Sequence, residues 1–360
     1  MSGEPVDSGS VPDDMLRAPR ERMTSWRPHA LHGPHMVRKQ TNCYVDLLIE
    51  LLAWWDLDPH AALPFTVALD FEADQFTFFK FPPEDIERLY GVLIQEHAIF
   101  EPLETHVATQ LARGDVMLVE VDAWFLPDTR GMTYRHEHTK TTIGIHAIDR
   151  SSRQLGYFHN AGYYFAEGAD YEGLLDTSAS ALLPPYAECA RRRFEPLAGP
   201  QLREASLSLL RRHLLRRPAT NPLAAFRQAL TRDAKEIVSR SMAYFHAYSF
   251  NTLRQLGSNF ELLGHYLRWL NASGTEQAGS FETMIAACDT IASESMVLEF
   301  RLARACSRGR EDRGESSLDA MEHAYTVLMD GFDSAFPRVE AQALPDEIPL
   351  GSPQPFSNVR

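Results

Sequence analysis

At 360 residues, with 44% hydrophobic and 23% charged side chains, the chain has the composition of a folded globular protein and the length for one large domain or two ordinary ones. A net charge of −14 argues against general nucleic-acid binding, which needs a basic surface. No apolar run reaches the length of a spanning helix, and the first residues carry acids and prolines without an apolar signal core, so a cytoplasmic protein with no membrane partner is expected.

Residues 1–35 are rich in Pro, Ser, Gly and charge and read as a disordered arm without a core. Asn42 then offers a helix cap, and Val45, Leu48, Ile49, Leu51, Leu52 and Trp55 supply an apolar face that ends at Asp56-Leu57-Asp58-Pro59. Cys43 falls in the first turn of that helix. The phenylalanine-rich stretch from Ala61 to Pro83 reads as short strands and loops, followed by helices over 84–90 and 102–113. Three β-segments are predicted over 116–121, 139–148 and 155–165. From about Pro200 to Phe336, Leu, Ala, Arg and Glu recur at helical spacing, which predicts four to six packed helices, with a Pro-rich tail over 337–360. The expected fold class is α+β: an antiparallel sheet within a catalytic region at 36–198, then an all-α domain at 199–336.

Four cysteines, Cys43, Cys189, Cys288 and Cys306, show neither metal-ligand nor disulfide-framework spacing. A helix N-terminus favours negative charge, and therefore the reactive thiolate, and its free N–H groups can hold an oxyanion. Cys43 has that position, while Cys189, Cys288 and Cys306 lie in helical or connecting segments without a matching His-Asn pair and read as structural. His138 opens a predicted strand and shares a face with Lys140, Thr142 and Gly144. The strand beginning at Leu155 runs into His159-Asn160, whose amide can hold an imidazole in one tautomer. A symmetric hairpin would leave Asn160 opposite Ile143, ~16 Å along the strand from His138 at ~3.3 Å per residue, so Asp122 stands as a substitute orienter. His136, His138, His146 and His159, with Glu137 or Asp122, form a rival metal set, but no metal-binding helix motif accompanies them and no metal is expected.

From Glu188 to Arg240, twelve basic residues face five acidic ones, an excess of seven positive charges in an acidic chain. Arg191, Arg192, Arg193, Arg211, Arg212, Arg216 and Arg217 are accordingly candidates for docking an acidic partner, with solvated helix faces as the plainer reading. Aromatic residues from Phe226 to Phe281 read as core, with Arg254, His265 and Arg268 bordering a groove between the halves and carrying no assigned role.

Residues 40–47, QTNCYVDL, then 138–144, HTKTTIG, and 155–160, LGYFHN, resemble papain-like cysteine peptidases. Together with 119–127, VEVDAWFLP, they are more closely similar to the butirosin biosynthesis protein H-like acyltransferases. Nearly the whole chain, including 250–257, FNTLRQLG, resembles an uncharacterised bacterial family encoded beside carrier proteins and amino acid:carrier-protein ligases. The resemblance implies a papain-like fold and a Cys43–His138–Asn160 set acting on an acyl or aminoacyl carrier protein. The phosphopantetheine would belong to that partner, with no intrinsic cofactor on this chain, and a small-molecule or protein amine would be the acceptor. Papain-like peptidases place an oxyanion glutamine six residues before the cysteine, where Val37 stands here, and Gln40 is the nearest substitute. The alternatives are a hydrolase of the same fold, acting as amidase, thioesterase or peptidase, and a non-catalytic scaffold that binds a carrier protein.

Overall fold

The computed structural model describes residues 26–38, 41–175, 185–272 and 281–337. Helix α1 (Cys43–Trp54) is started by Asn42, whose side-chain oxygen accepts the Val45 amide at 2.9 Å while its amide group donates to the Phe79 carbonyl at 3.0 Å. Val45, Leu47, Leu48, Ile49, Leu51 and Leu52 are each at most 1% exposed, so this helix is buried on most sides. A 3₁₀ segment (Pro59–Ala68) follows, then a small hairpin, β1 (Phe71–Glu72) with β2 (Gln75–Phe76).

Next come α2 (Pro83–Tyr90), β3 (Val92–Glu96), α3 (Leu103–Leu111), β4 (Val116–Asp122), β5 (Lys140–Asp149), β6 (Gln154–His159), β7 (Gly162–Glu167), α4 (Ala169–Leu175) and β8 (Ala187–Arg192). The strands form a six-stranded antiparallel sheet ordered β3-β8-β4-β5-β6-β7. Alternate residues divide its faces. Met117, Val119, Val121, Ile143, Ile145, Leu155 and Tyr157 join a core with Leu103 and Val107 of α3 and Leu174 of α4. Val116, Leu118, Phe158 and Ala190 join the other core, which α1 supplies and the C-terminal helices complete.

Helix α1 crosses that second face. Tyr44 reaches Glu188 of β8, Leu47 lies where a Cβ on Gly144 of β5 would meet it at 2.7 Å, and Trp54 packs on Phe158 of β6 and Tyr163 of β7. Gly144 is thus required by close approach of the helix. The C-terminal helices are α5 (Gly199–Leu214), α6 (Pro222–Ser239), α7 (Met242–Ser249), α8 (Gln255–Ala272), α9 (Glu282–Arg308) and α10 (Glu315–Ala335), with a π-helical turn, Phe250–Arg254, joining α7 to α8. None of the described helices is long and apolar enough to cross a membrane.

The α+β class and the six described C-terminal helices match the sequence expectations. Three details differ. The predicted segment 155–165 is two strands, folded at Asn160-Ala161 between the paired residues His159 and Gly162, with Asn160 in the left-handed region at φ 46°. Strands β3 and β8 were not anticipated. Part of the expected arm is built into the core, since Leu31 is fully buried and His32 is 8% exposed. Residues 1–25 and the tail from 338 lie outside the described residues.

Candidate functional site

The segment leading to Cys43 is clamped at both ends. Upstream, the Val37 and Arg38 amides donate to the two carboxylate oxygens of Glu261 in α8, at 2.5 and 3.1 Å, and the Arg38 guanidinium pairs with Glu299 of α9 at 2.8 Å. Downstream, the Thr41 amide and hydroxyl both donate to Asp46, the hydroxyl at 2.6 Å. Asp46 is fully buried, and its other neighbour is His32 Nε2 at 3.1 Å. His32 Nδ1 meets Glu50 at 2.5 Å, and Glu50 also accepts from the His29 amide and the Trp26 indole. Burial opposes a charge on His32, but the hydrogen bonds and charges of Asp46 and Glu50 outweigh it and raise its pKa to about 9. A buried imidazolium between two carboxylates of α1 therefore fixes the chain that delivers Cys43. Cys43 itself is partly exposed at the helix start.

His138 lies just before β5. Its Nδ1 is 2.5 Å from Asp122 Oδ2, while Asp122 Oδ1 accepts the Trp124 amide at 3.0 Å and caps a 3₁₀ turn, Ala123–Phe125. That turn lays the Trp124 indole flat on the His138 ring, with centroids 4.4 Å apart and planes at 5°. The His138 side chain is 68% exposed although its Nδ1 is held by Asp122. Asp122 pairs with Lys140 and has the parity of Leu118, which puts it on the face that α1 crosses.

The structure joins His138 to Asp122 and Trp124; among the described residues no hydrogen bond joins it to Cys43 or to Asn160. Asp122 stands four residues, ~13 Å, along β4 from Leu118, the level at which α1 crosses. A bulge between Ile145 and Ala147 sets Gly144 opposite Phe158, so Asn160 falls one residue nearer His138 than a symmetric hairpin predicts, yet remains a turn residue. The side chain that meets the His138 ring is therefore Asp122, which the sequence offered as a substitute, and not Asn160. Gln40 lies outside the described residues. The stacking Trp124 was not anticipated, although an aromatic two residues after a strand-end Asp is the signal that carries it.

The expected metal rivals do not gather. His159 is buried on the opposite face, with Nδ1 2.6 Å from Asp128 and Nε2 2.9 Å from the Thr141 hydroxyl, and His146 packs edge-on to Trp54. The ligand-like group found among the described residues is instead His29, Asp58 and His60. Cys189 and Cys288 are buried, which pushes the Cys189 thiol up to about 12 and the Cys288 thiol higher still; Cys306 is also raised by burial. Of the arginines expected to dock an acidic partner, Arg191 pairs with Asp115, Arg212 with Asp85 and Arg217 with Asp333, while Arg211 lies over Phe336. These four are turned to the protein's own side chains. Arg192, Arg193 and Arg216 are exposed, as is Arg211 despite its ring contact.

From the C-terminal half, Arg254 ends the π turn, half-buried beside this segment. Burial and then the Arg38 charge lower its pKa, against the opposing pull of Asp46 and Glu299. π turns recur at functional sites because they displace one residue from helical register.

Residues 27–192 match the family model described as the DUF1839 N-terminal domain, and residues 199–334 match the DUF1839 C-terminal domain. No curated protein matches the chain.

Proposed function

We propose that this chain, which belongs to the DUF1839 family across both of its domains, is a cysteine-dependent acyl-transfer enzyme with Cys43 as nucleophile, His138 as proton carrier and Asp122 as its positioning residue. The observation that carries the reading is the exposed His138 ring, fixed by Asp122 and Trp124 on the sheet face crossed by the helix that Cys43 opens. The Cys43 thiolate attacks an acyl carbonyl carbon, and the oxyanion forms near the first-turn amides of α1. Collapse breaks the bond to the leaving group, which takes a proton from the His138 imidazolium. An acceptor amine then loses a proton to His138 and attacks the acyl-enzyme, and Cys43 leaves as thiolate. The hydrogen bond between His138 and Cys43 that these steps need forms in the substrate-loaded complex, where catalytic contacts commonly tighten.

A thioester donor suits a thiol nucleophile because exchange between thioesters is nearly balanced in free energy. The resemblance to butirosin biosynthesis protein H-like acyltransferases and to papain-like peptidases favours an acyl or aminoacyl carrier protein as donor. The 68% exposure of His138 supports a second reading, hydrolysis by the same residues, because water has open access to the base.

Intact-mass measurement after mixing with an acyl thioester tests both. One added acyl group is expected on the native chain and on Cys189→Ala, Cys288→Ala and Cys306→Ala, and none on Cys43→Ala. Release to amine or to water separates transferase from hydrolase. Full turnover by Cys43→Ala would overturn the reading in favour of direct transfer without an acyl-enzyme, and no acylation or turnover by the native chain with its donor and acceptor would leave the non-catalytic scaffold in its place.

A further inference from the structure

We propose that His29, Asp58 and His60 bind one divalent transition-metal cation of the zinc class, which ties the segment before Cys43 to the turn that follows α1. One ligand atom from each residue lies within 4.8 Å of the others. The three come from two parts of the chain: His29 precedes the Ala30–His32 turn, while Asp58 caps the 3₁₀ segment after α1 and His60 is its second residue. The His29 and His60 rings meet edge to face, with centroids 5.2 Å apart.

Each donor is prepared for ligation. Asp58 is held by the Trp269 indole N–H at 2.7 Å on Oδ2 and by the His60 amide at 3.1 Å on Oδ1, so the carboxylate is fixed from α8 as well as from its own turn. The His29 ring accepts the Leu31 amide on Nδ1 and so presents a lone pair there. The His60 and Asp58 side chains are 20% and 42% exposed, which leaves a path for an ion from solvent.

Two imidazoles and one carboxylate select zinc, cobalt or nickel over magnesium or calcium, which take oxygen sets. Tetrahedral ligands bonded at ~2.1 Å stand ~3.4 Å apart, so the group needs side-chain rotation of about an ångström and no backbone change. His60 Nδ1 and Asp58 Oδ1 are 2.7 Å apart and share a proton. The cation takes the place of that proton, which is released to solvent. His29 Nδ1 accepts the Leu31 amide at 3.2 Å, a long bond that ligation surrenders. The site is separate from Cys43 and His138 and stands or falls without them.

The test uses the full, untagged chain freed of metal with a chelator, titrated with zinc chloride alone. Calorimetry should give one zinc per chain, elemental analysis after gel filtration should retain it, and the melting temperature should rise. His29→Ala and His60→Ala should abolish binding, with circular dichroism confirming that each is folded, and Asp58→Asn should weaken it roughly 10–100-fold. Cys43→Ala and His138→Ala should bind as the native chain does. No uptake by the native chain, or uptake unchanged in His29→Ala and His60→Ala, overturns the proposal. Loss in Cys43→Ala and His138→Ala instead would move the metal to the other cluster and overturn it equally.

Discussion

The Trp124 indole lies parallel to the His138 ring at 4.4 Å, so the candidate base is fixed by its face as well as by its edge. An imidazole on an open surface would otherwise sample several rotamers, and each lost rotamer of a reacting group removes an entropic part of the barrier.

Asp122→Asn should leave the ring in place but remove the carboxylate that holds Nδ1–H, lowering kcat/KM for acyl transfer by roughly 10²–10⁴. Trp124→Ala should cost less and act through positioning. Asn160→Ala should leave turnover nearly intact, because that residue shapes the β6–β7 turn away from the ring. A loss in Asn160→Ala equal to that in Asp122→Asn would restore the Cys-His-Asn arrangement.

His32 makes stability depend on alkaline pH. Its folded pKa, about 9, lies above the ordinary 6.5, so the stabilisation is fully present below pH 6.5 and is lost as pH rises through 9. The shift corresponds to about 3 kcal/mol. Urea denaturation between pH 6 and 10 should show this decline in the native chain and not in His32→Gln, which should be less stable at pH 6. An identical slope in both proteins would sink the argument.

Glu261→Gln should weaken the grip on the Val37 and Arg38 amides, at a cost of about 1–3 kcal/mol, since two part-buried amides lose a charged acceptor. Acylation of Cys43 should slow while the Trp124 fluorescence that reports the His138 stack stays unchanged. A mutation in α8 would then affect the nucleophile of the other family domain.

Gly144→Ala puts a methyl group 2.7 Å from Leu47 Cδ1 and should destabilise the fold by roughly 1–3 kcal/mol. Adding Leu47→Ala should recover part of that loss in a double-mutant cycle, since the two residues touch. Additive effects would show that α1 does not press on β5 here.

Local signals carried much of the fold. The Asn42 cap and the apolar run after it mark α1, and Val116 to Val121 mark β4, because a cap and a continuous apolar strand are written in neighbouring residues. Strands β3 and β8 escaped because Val92-Leu93-Ile94 is short and β8 carries Glu188, Arg191 and Arg192, charges that its pairing with β3 and β4 overrides. The site was legible as residue types and not as partners. Which group meets His138 depends on the Asp122–Lys140 register and the Ala123–Phe125 turn, both tertiary facts. His29 and His60 are too far apart in sequence to form a spacing motif, and only the packing of the N-terminal segment brings them together.

The core that Leu31, Leu48 and Phe81 share with Phe226, Leu263 and Phe332 spans both family domains. The boundary near residue 195 is therefore a seam in the sequence and not a hinge in the molecule. Expressed alone, residues 199–337 would present to water the apolar surface that α1 and the 3₁₀ segment now cover, and would aggregate rather than fold. The two pieces produced together should instead find each other and form a nicked protein with the melting behaviour of the uncut chain. A lineage that separated them onto two genes would have to keep both messages in step.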